Sequence, residues 1–64
     1  MSQELDYLIK QFEDEIQEHR NFLATGRPAS MEEYRQVVGT IRGLESAIQI
    51  TKDLVQRMEN SDES

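Results

Sequence analysis

The sequence predicts an all-α fold, an antiparallel hairpin of two helices, and three observations support this. Apolar residues recur every three or four positions along two long segments, which is the spacing of one face of a helix. A cluster of turn-forming residues at 25–30 separates the two segments. The chain of 64 residues has room for a single domain, residues 1–64, near the lower size limit for independent folding.

The first helix is predicted over residues 3 to 25, with Ser2 as its N-cap. Its apolar stripe advances in alternating steps of four and three residues, an average that keeps one seam turned toward a partner helix. The stripe consists of Leu5, Ile9, Phe12, Ile16, His19 and Leu23.

The turn is predicted over residues 26 to 30. Gly26 suits the left-handed position that ends a helix, and Pro28 cannot continue the preceding helix. Ser30 and Glu33 have the spacing of a capping box, in which the Ser30 hydroxyl accepts from the Glu33 N–H and the Glu33 carboxylate accepts from the Ser30 N–H.

The second helix is predicted over residues 31 to 59, followed by a frayed acidic tail over 60–64. It is predicted to extend beyond the first helix, so that Val55 and Met58 are only partly covered by it. Its stripe has the same alternating spacing and consists of Tyr34, Val37, Ile41, Leu44, Ile48, Thr51, Val55 and Met58.

A short loop forces the two stripes to pair in opposite directions, so facing residue numbers have a constant sum. Pairing Leu23 with Val37, and continuing to Leu5 with Val55, gives numbers that add to 60 each time. A sum near 57 suits the loop about equally well, and the sequence leaves both registers open.

Charge and composition exclude several kinds of function. The net charge is −6 and the chain has no cysteine, so disulfides, thiolate metal sites and cysteine nucleophiles are excluded. Residues 1–25 carry six acids against Lys10 and Arg20, which gives −4 and disfavours nucleic acid as a partner. No signal peptide and no membrane-spanning segment is expected, because the longest apolar run is Tyr7-Leu8-Ile9.

A second stripe on the other side of helix 2 is the candidate protein interface. Two glycines inside a helix are each unfavourable by roughly 1 kcal/mol relative to alanine, and small residues four apart let another backbone approach closely. The alternatives are close packing within the hairpin or glycines without a role. Arg42 is the predicted polar anchor, since arginine is enriched at interfaces. The predicted interface residues are Gly39, Arg42, Gly43, Ala47, Ile50 and Leu54.

No catalytic, cofactor-binding or metal-ligating set is predicted, and the chain is not expected to be an enzyme. His19 with Glu15 could form part of a metal site, but the preferred interpretation is a half-buried imidazole hydrogen-bonded to a carboxylate. Such a histidine would make association pH-sensitive. The acids at 13–15 and 18 are interpreted as a solvated face, because a two-helix chain has no concave pocket. Two helix-surface ion pairs are expected, Asp53 with Arg57 and Glu32 with Arg35.

The segment 33–45, EYRQVVGTIRGLE, followed by DLVQRME at 53–59, resembles small, mostly uncharacterised helical proteins of short-tailed bacteriophages. The resemblance covers the second half of the chain and implies a phage protein, made in the bacterial host cytoplasm and in some cases built into the virion. It transfers no catalytic residue.

The sequence therefore predicts a helical protein that self-associates, with a dimer forming a four-helix bundle favoured, or that docks on another protein such as a phage structural component. The alternative is an acidic inhibitor or regulator of a host nucleic-acid-binding enzyme, acting through helix 1. A third hypothesis is a metal-binding bundle around His19 and Glu15.

Overall fold

The computed structural model confirms the helical hairpin. It describes residues 3–63, with side-chain environments for 3–61. Helix α1 spans Gln3–Ala24 and helix α2 spans Met31–Glu63; the two pack against each other, and no strand occurs within 3–63. The predicted N-cap, Ser2, lies outside the described residues.

Both helices end close to the predicted positions, with one clear difference. Helix α1 stops at Ala24, one residue early, whereas α2 continues to Glu63 rather than ending at 59. Residues 60–63, predicted as a tail, thus continue α2 in the structure. Neither Gly nor Pro, the residues that most often mark a helix end, occurs after Gly43.

The turn forms as the sequence predicts. Gly26 has a φ of 72°, in the left-handed region that residues with a Cβ rarely adopt. The backbone N–H groups of Thr25 and Gly26 donate to the carbonyls of Asn21 and Leu23, at 3.0 and 3.2 Å. These bonds satisfy carbonyl groups at the end of α1 that have no partner within the helix.

One of the two hydrogen bonds predicted for the N-terminal cap of α2 is present, and the other has a different donor. The N–H of Glu33 donates to the Ser30 hydroxyl at 3.1 Å, as expected. The Glu33 carboxylate, however, accepts from the N–H of Ala29 at 3.2 Å, one residue earlier than the predicted Ser30 N–H. The side chain still satisfies a backbone donor where the chain enters the helix, so Glu33 keeps its capping role with a different partner.

The core is a thin seam between the helices. Ile16, Ile41 and Thr51 are buried, and the remaining stripe residues of α1 are half-buried. The Thr51 hydroxyl donates to the Ala47 carbonyl at 2.8 Å, so its burial leaves no polar atom unpaired. Tyr34, expected on the seam, is exposed, because its position faces the turn rather than α1.

The grooves beside the seam favour the register whose residue numbers add to 60. Ile48 lines one shallow groove with Glu13 and Ile16, as expected if it lies level with residue 12. A sum of 57 would place it level with Ile9, which instead lines a separate groove with Val55.

The hairpin is strongly elongated. Its extents are 52 × 17 × 12 Å and its radius of gyration is 15.3 Å, against roughly 11 Å for a compact domain of this length. Helix α2 has 33 residues and α1 has 22, so α2 is about 16 Å longer at 1.5 Å per residue. Part of α2 consequently lies beyond the cover of α1.

We expect Gly26→Ala to lower the free energy of unfolding by about 1 kcal/mol, because alanine is disfavoured at positive φ. A Cβ at Gly26 would meet no atom within 4 Å, so the effect is purely conformational. Gly39→Ala is the control: it lies in a helix with equally open space and should stabilise the chain by roughly 0.5–1 kcal/mol. Urea unfolding at a concentration where the chain is monomeric measures both, and equal effects would contradict the assigned turn.

Ser30→Ala removes the hydroxyl that caps α2 and should destabilise the chain by about 1 kcal/mol. Ser46→Ala removes a hydroxyl from the exposed middle of the same helix and should be neutral or slightly stabilising. Thermal unfolding followed by circular dichroism compares the two, and a neutral Ser30→Ala would show that the cap contributes nothing.

Candidate protein interface on the second helix

The predicted interface stripe lies on the side of α2 that faces away from the seam. Ile50 is 66% exposed and Leu54 is 47% exposed, and Gly39, Gly43 and Arg42 are also exposed. We call the stripe of Gly39, Gly43, Ala47, Ile50 and Leu54 the outer face of α2. Of these five, Ala47 alone is half-buried, because it borders the seam.

The hairpin itself does not explain the two glycines in α2. A Cβ added at Gly39 or Gly43 would have nothing within 4 Å. The alternative interpretation, in which the glycines permit close packing against α1, is therefore wrong. Their unfavourable helix propensity has no compensation within the hairpin.

The exposed apolar surface extends beyond the outer face at the open end of the hairpin. Leu8 is 40% exposed and Met58 is 46% exposed. Asp6 and Lys52 line a groove on one flank of the hairpin. Leu8 and Leu54 each come two residues later, about 200° further around their helices, so they lie on the opposite flank.

The sequence prediction missed the link between Leu8 and the outer face. Leu8 is not part of the predicted stripe of α1, and its neighbourhood depends on which register holds. With a sum near 60, Leu8 is level with residues 52–54, so the register supplies the missing information. Leu8, Ile50, Leu54 and Met58 then share the open end, and we refer to these four as the apolar patch.

Arg42, the predicted anchor, is exposed and has no ion pair or hydrogen bond to any described residue. The structure instead joins the helices through an exposed pair, Arg20 Nη2 to Glu45 Oε2, at 3.1 Å. Exposed pairs of this kind contribute about 0–1 kcal/mol. Arg42 is thus available to a partner.

The two ion pairs expected along α2 are not formed. Within residues 3–61, the structure joins neither Asp53 to Arg57 nor Glu32 to Arg35. Asp53 accepts instead from Gln49 Nε2 at 3.1 Å. Long exposed side chains lose conformational freedom on pairing, which offsets most of the Coulomb attraction.

His19 is half-buried on the seam as predicted, but its expected hydrogen bond to a carboxylate is absent. Glu15, one turn before it, is exposed. Across the described part of the chain, no three His, Asp or Glu side chains are grouped so that they could hold a metal ion.

Neither of the described helices is long and apolar enough to cross a membrane. No protein-family model, no curated protein and no solved structure matches the chain.

Proposed function

We propose that this chain is a non-enzymatic helical protein that acts by binding protein through the outer face of α2, either a second copy of itself or another protein. The observation that carries the proposal is the exposure of Ile50 and Leu54 on the side of α2 that faces away from α1. Exposed apolar clusters of this kind are typical of interaction surfaces.

The exposed patch is large for so small a chain. Only two aliphatic side chains, Ile16 and Ile41, are buried within the described residues, while the apolar patch offers four large ones. Burying such a side chain contributes roughly 1.5–3 kcal/mol when it is complete. Association that covered these side chains would thus add substantially to the limited apolar burial within the hairpin.

The biological setting remains a prediction. The resemblance of segment 33–59 to short-tailed phage proteins suggests a virion or assembly component made in a bacterial host. The comparisons neither support nor contradict that origin. The binding proposal does not depend on it.

We expect Gly43→Leu to abolish or strongly weaken association while preserving the helices. The added side chain has open space in the hairpin and leucine favours helix, so folding is spared and only an approaching partner is obstructed. Light scattering gives the solution mass, and circular dichroism gives the helix content.

Gln56→Leu is the matched control, because it adds the same side chain at an exposed position of α2 away from the outer face. It should leave the mass unchanged. If Gly43→Leu also left both the mass and partner binding unchanged, the outer face would have no binding role.

A second candidate function is inhibition of a nucleic-acid-binding enzyme through the acidic side of α1. Glu13, Asp14, Glu15 and Glu18 are all exposed, and none forms an ion pair with a described residue. Four uncompensated carboxylates on one helix form a negative surface that complements a basic cleft.

Reversing Glu13, Asp14 and Glu18 to lysine separates the two functions. The acidic-face proposal expects loss of inhibition in an assay of a nucleic-acid-binding enzyme, with the solution mass unchanged. Gly43→Leu should give the reverse pattern. Inhibition that survives the triple charge reversal would rule out the acidic face.

A further inference from the structure

We propose that the partner on the outer face of α2 is a second copy of this chain, with the two α2 helices antiparallel and facing residue numbers adding to about 93. This rests on the proposed function, because it names the occupant of the same surface. Three observations converge on it: the order of small and large residues, the placement of charges, and the exposed area.

Small and large residues on the outer face complement each other when the helix is reversed. Gly39 and Gly43 stand toward the beginning of α2, and Ile50 and Leu54 stand toward its end. Antiparallel pairing places Ile50 against Gly43 and Leu54 against Gly39 of the second copy. The open space at each glycine then receives a side chain that the monomer leaves exposed.

Charges on one flank are complementary in the same arrangement. Arg42 and Asp53 are eleven residues apart, about three turns, so they lie on the same flank. When two antiparallel helices are related by a two-fold axis, each flank of one helix lies beside the same flank of the other. Arg42 of each chain then lies within about two residues of the level of Asp53 in the other, and the pair forms twice.

Neither Arg42 nor Asp53 forms an ion pair within the described part of the monomer. Arg42 has no ion pair or hydrogen bond to a described residue, and Asp53 is held by Gln49 Nε2 at 3.1 Å, a bond that orients the carboxylate without neutralising it. A parallel pairing about a two-fold axis along the helices would instead place this flank on opposite sides of the contact in the two copies, so Arg42 and Asp53 would not meet across it.

The chain exposes more surface than a compact monomer of its mass, enough to accommodate an interface of standard size. The chain exposes 5126 Å², whereas a compact monomer of its 7.5 kDa mass exposes roughly 4,200 Å². The difference, roughly 900 Å², is close to the roughly 800 Å² that each partner of a standard interface buries.

Disulfide crosslinking tests the arrangement directly, because the chain has no cysteine of its own. Ser46→Cys places a thiol beside the two-fold axis and should give a covalent dimer under mild oxidation. Gln36→Cys is the matched control at an exposed position; its thiols would stand about 30 Å apart along the antiparallel axis at 1.5 Å per residue. It should not crosslink.

Crosslinking of both variants would indicate a parallel pair and overturn the antiparallel arrangement. Failure of both, with a wild-type dimer that Gly43→Leu still disrupts, would overturn the arrangement and leave the proposed binding face intact. A wild-type chain that stays monomeric up to millimolar concentration would overturn self-pairing, whereas Gly43→Leu leaving mass and partner binding unchanged would overturn the binding face itself.

A charge exchange gives an independent reading of the same contact. Arg42→Asp or Asp53→Arg alone should raise the dimer dissociation constant about tenfold or more, because each creates two like-charged contacts. The double variant should restore it to within about threefold. Sedimentation across a concentration series measures all four proteins, and a double variant as weak as the singles would contradict the antiparallel pairing.

Discussion

The difference in length and apolar width between the two helices is the constraint on which the rest of the structure depends. Helix α2 carries apolar residues on two sides, and α1 can cover only one of them. The covered side becomes the seam around Ile16, Ile41 and Thr51. The other side stays exposed, and exposed apolar surface of this kind is the basis of the proposed association.

Most of the fold could be predicted because its determinants are local. The alternation of steps of three and four defined both seams, and Gly26, Pro28 and Ser30 defined the turn. The end of α2 was harder, since fraying depends on weak preferences that no single residue dominates. Likewise, the Glu33 carboxylate accepts from the N–H of Ala29 and not from that of Ser30, a difference of one residue that sequence spacing does not resolve.

The candidate interface was predicted only in part, for a different physical reason. Sequence periodicity showed that Ile50 and Leu54 lie off the seam, but it left open whether the glycines pack inside the hairpin. That question depends on the distance from each glycine to α1, and the open space around them answers it. Leu8 joined the apolar patch once the register was known, because contacts between helices depend on their alignment. The expected hydrogen bond of His19 does not form, because the side chain of the nearby Glu15 is exposed to solvent.

The direction of the hairpin has a practical consequence. Residues 3 and 63 lie toward the same end of the molecule, near Leu8 and Met58, while Gly26 lies at the opposite end, beyond the roughly 33 Å length of α1. A label or fused domain attached at either terminus would crowd the apolar patch. One inserted at the turn would project away from it, and so would leave a bound partner undisturbed.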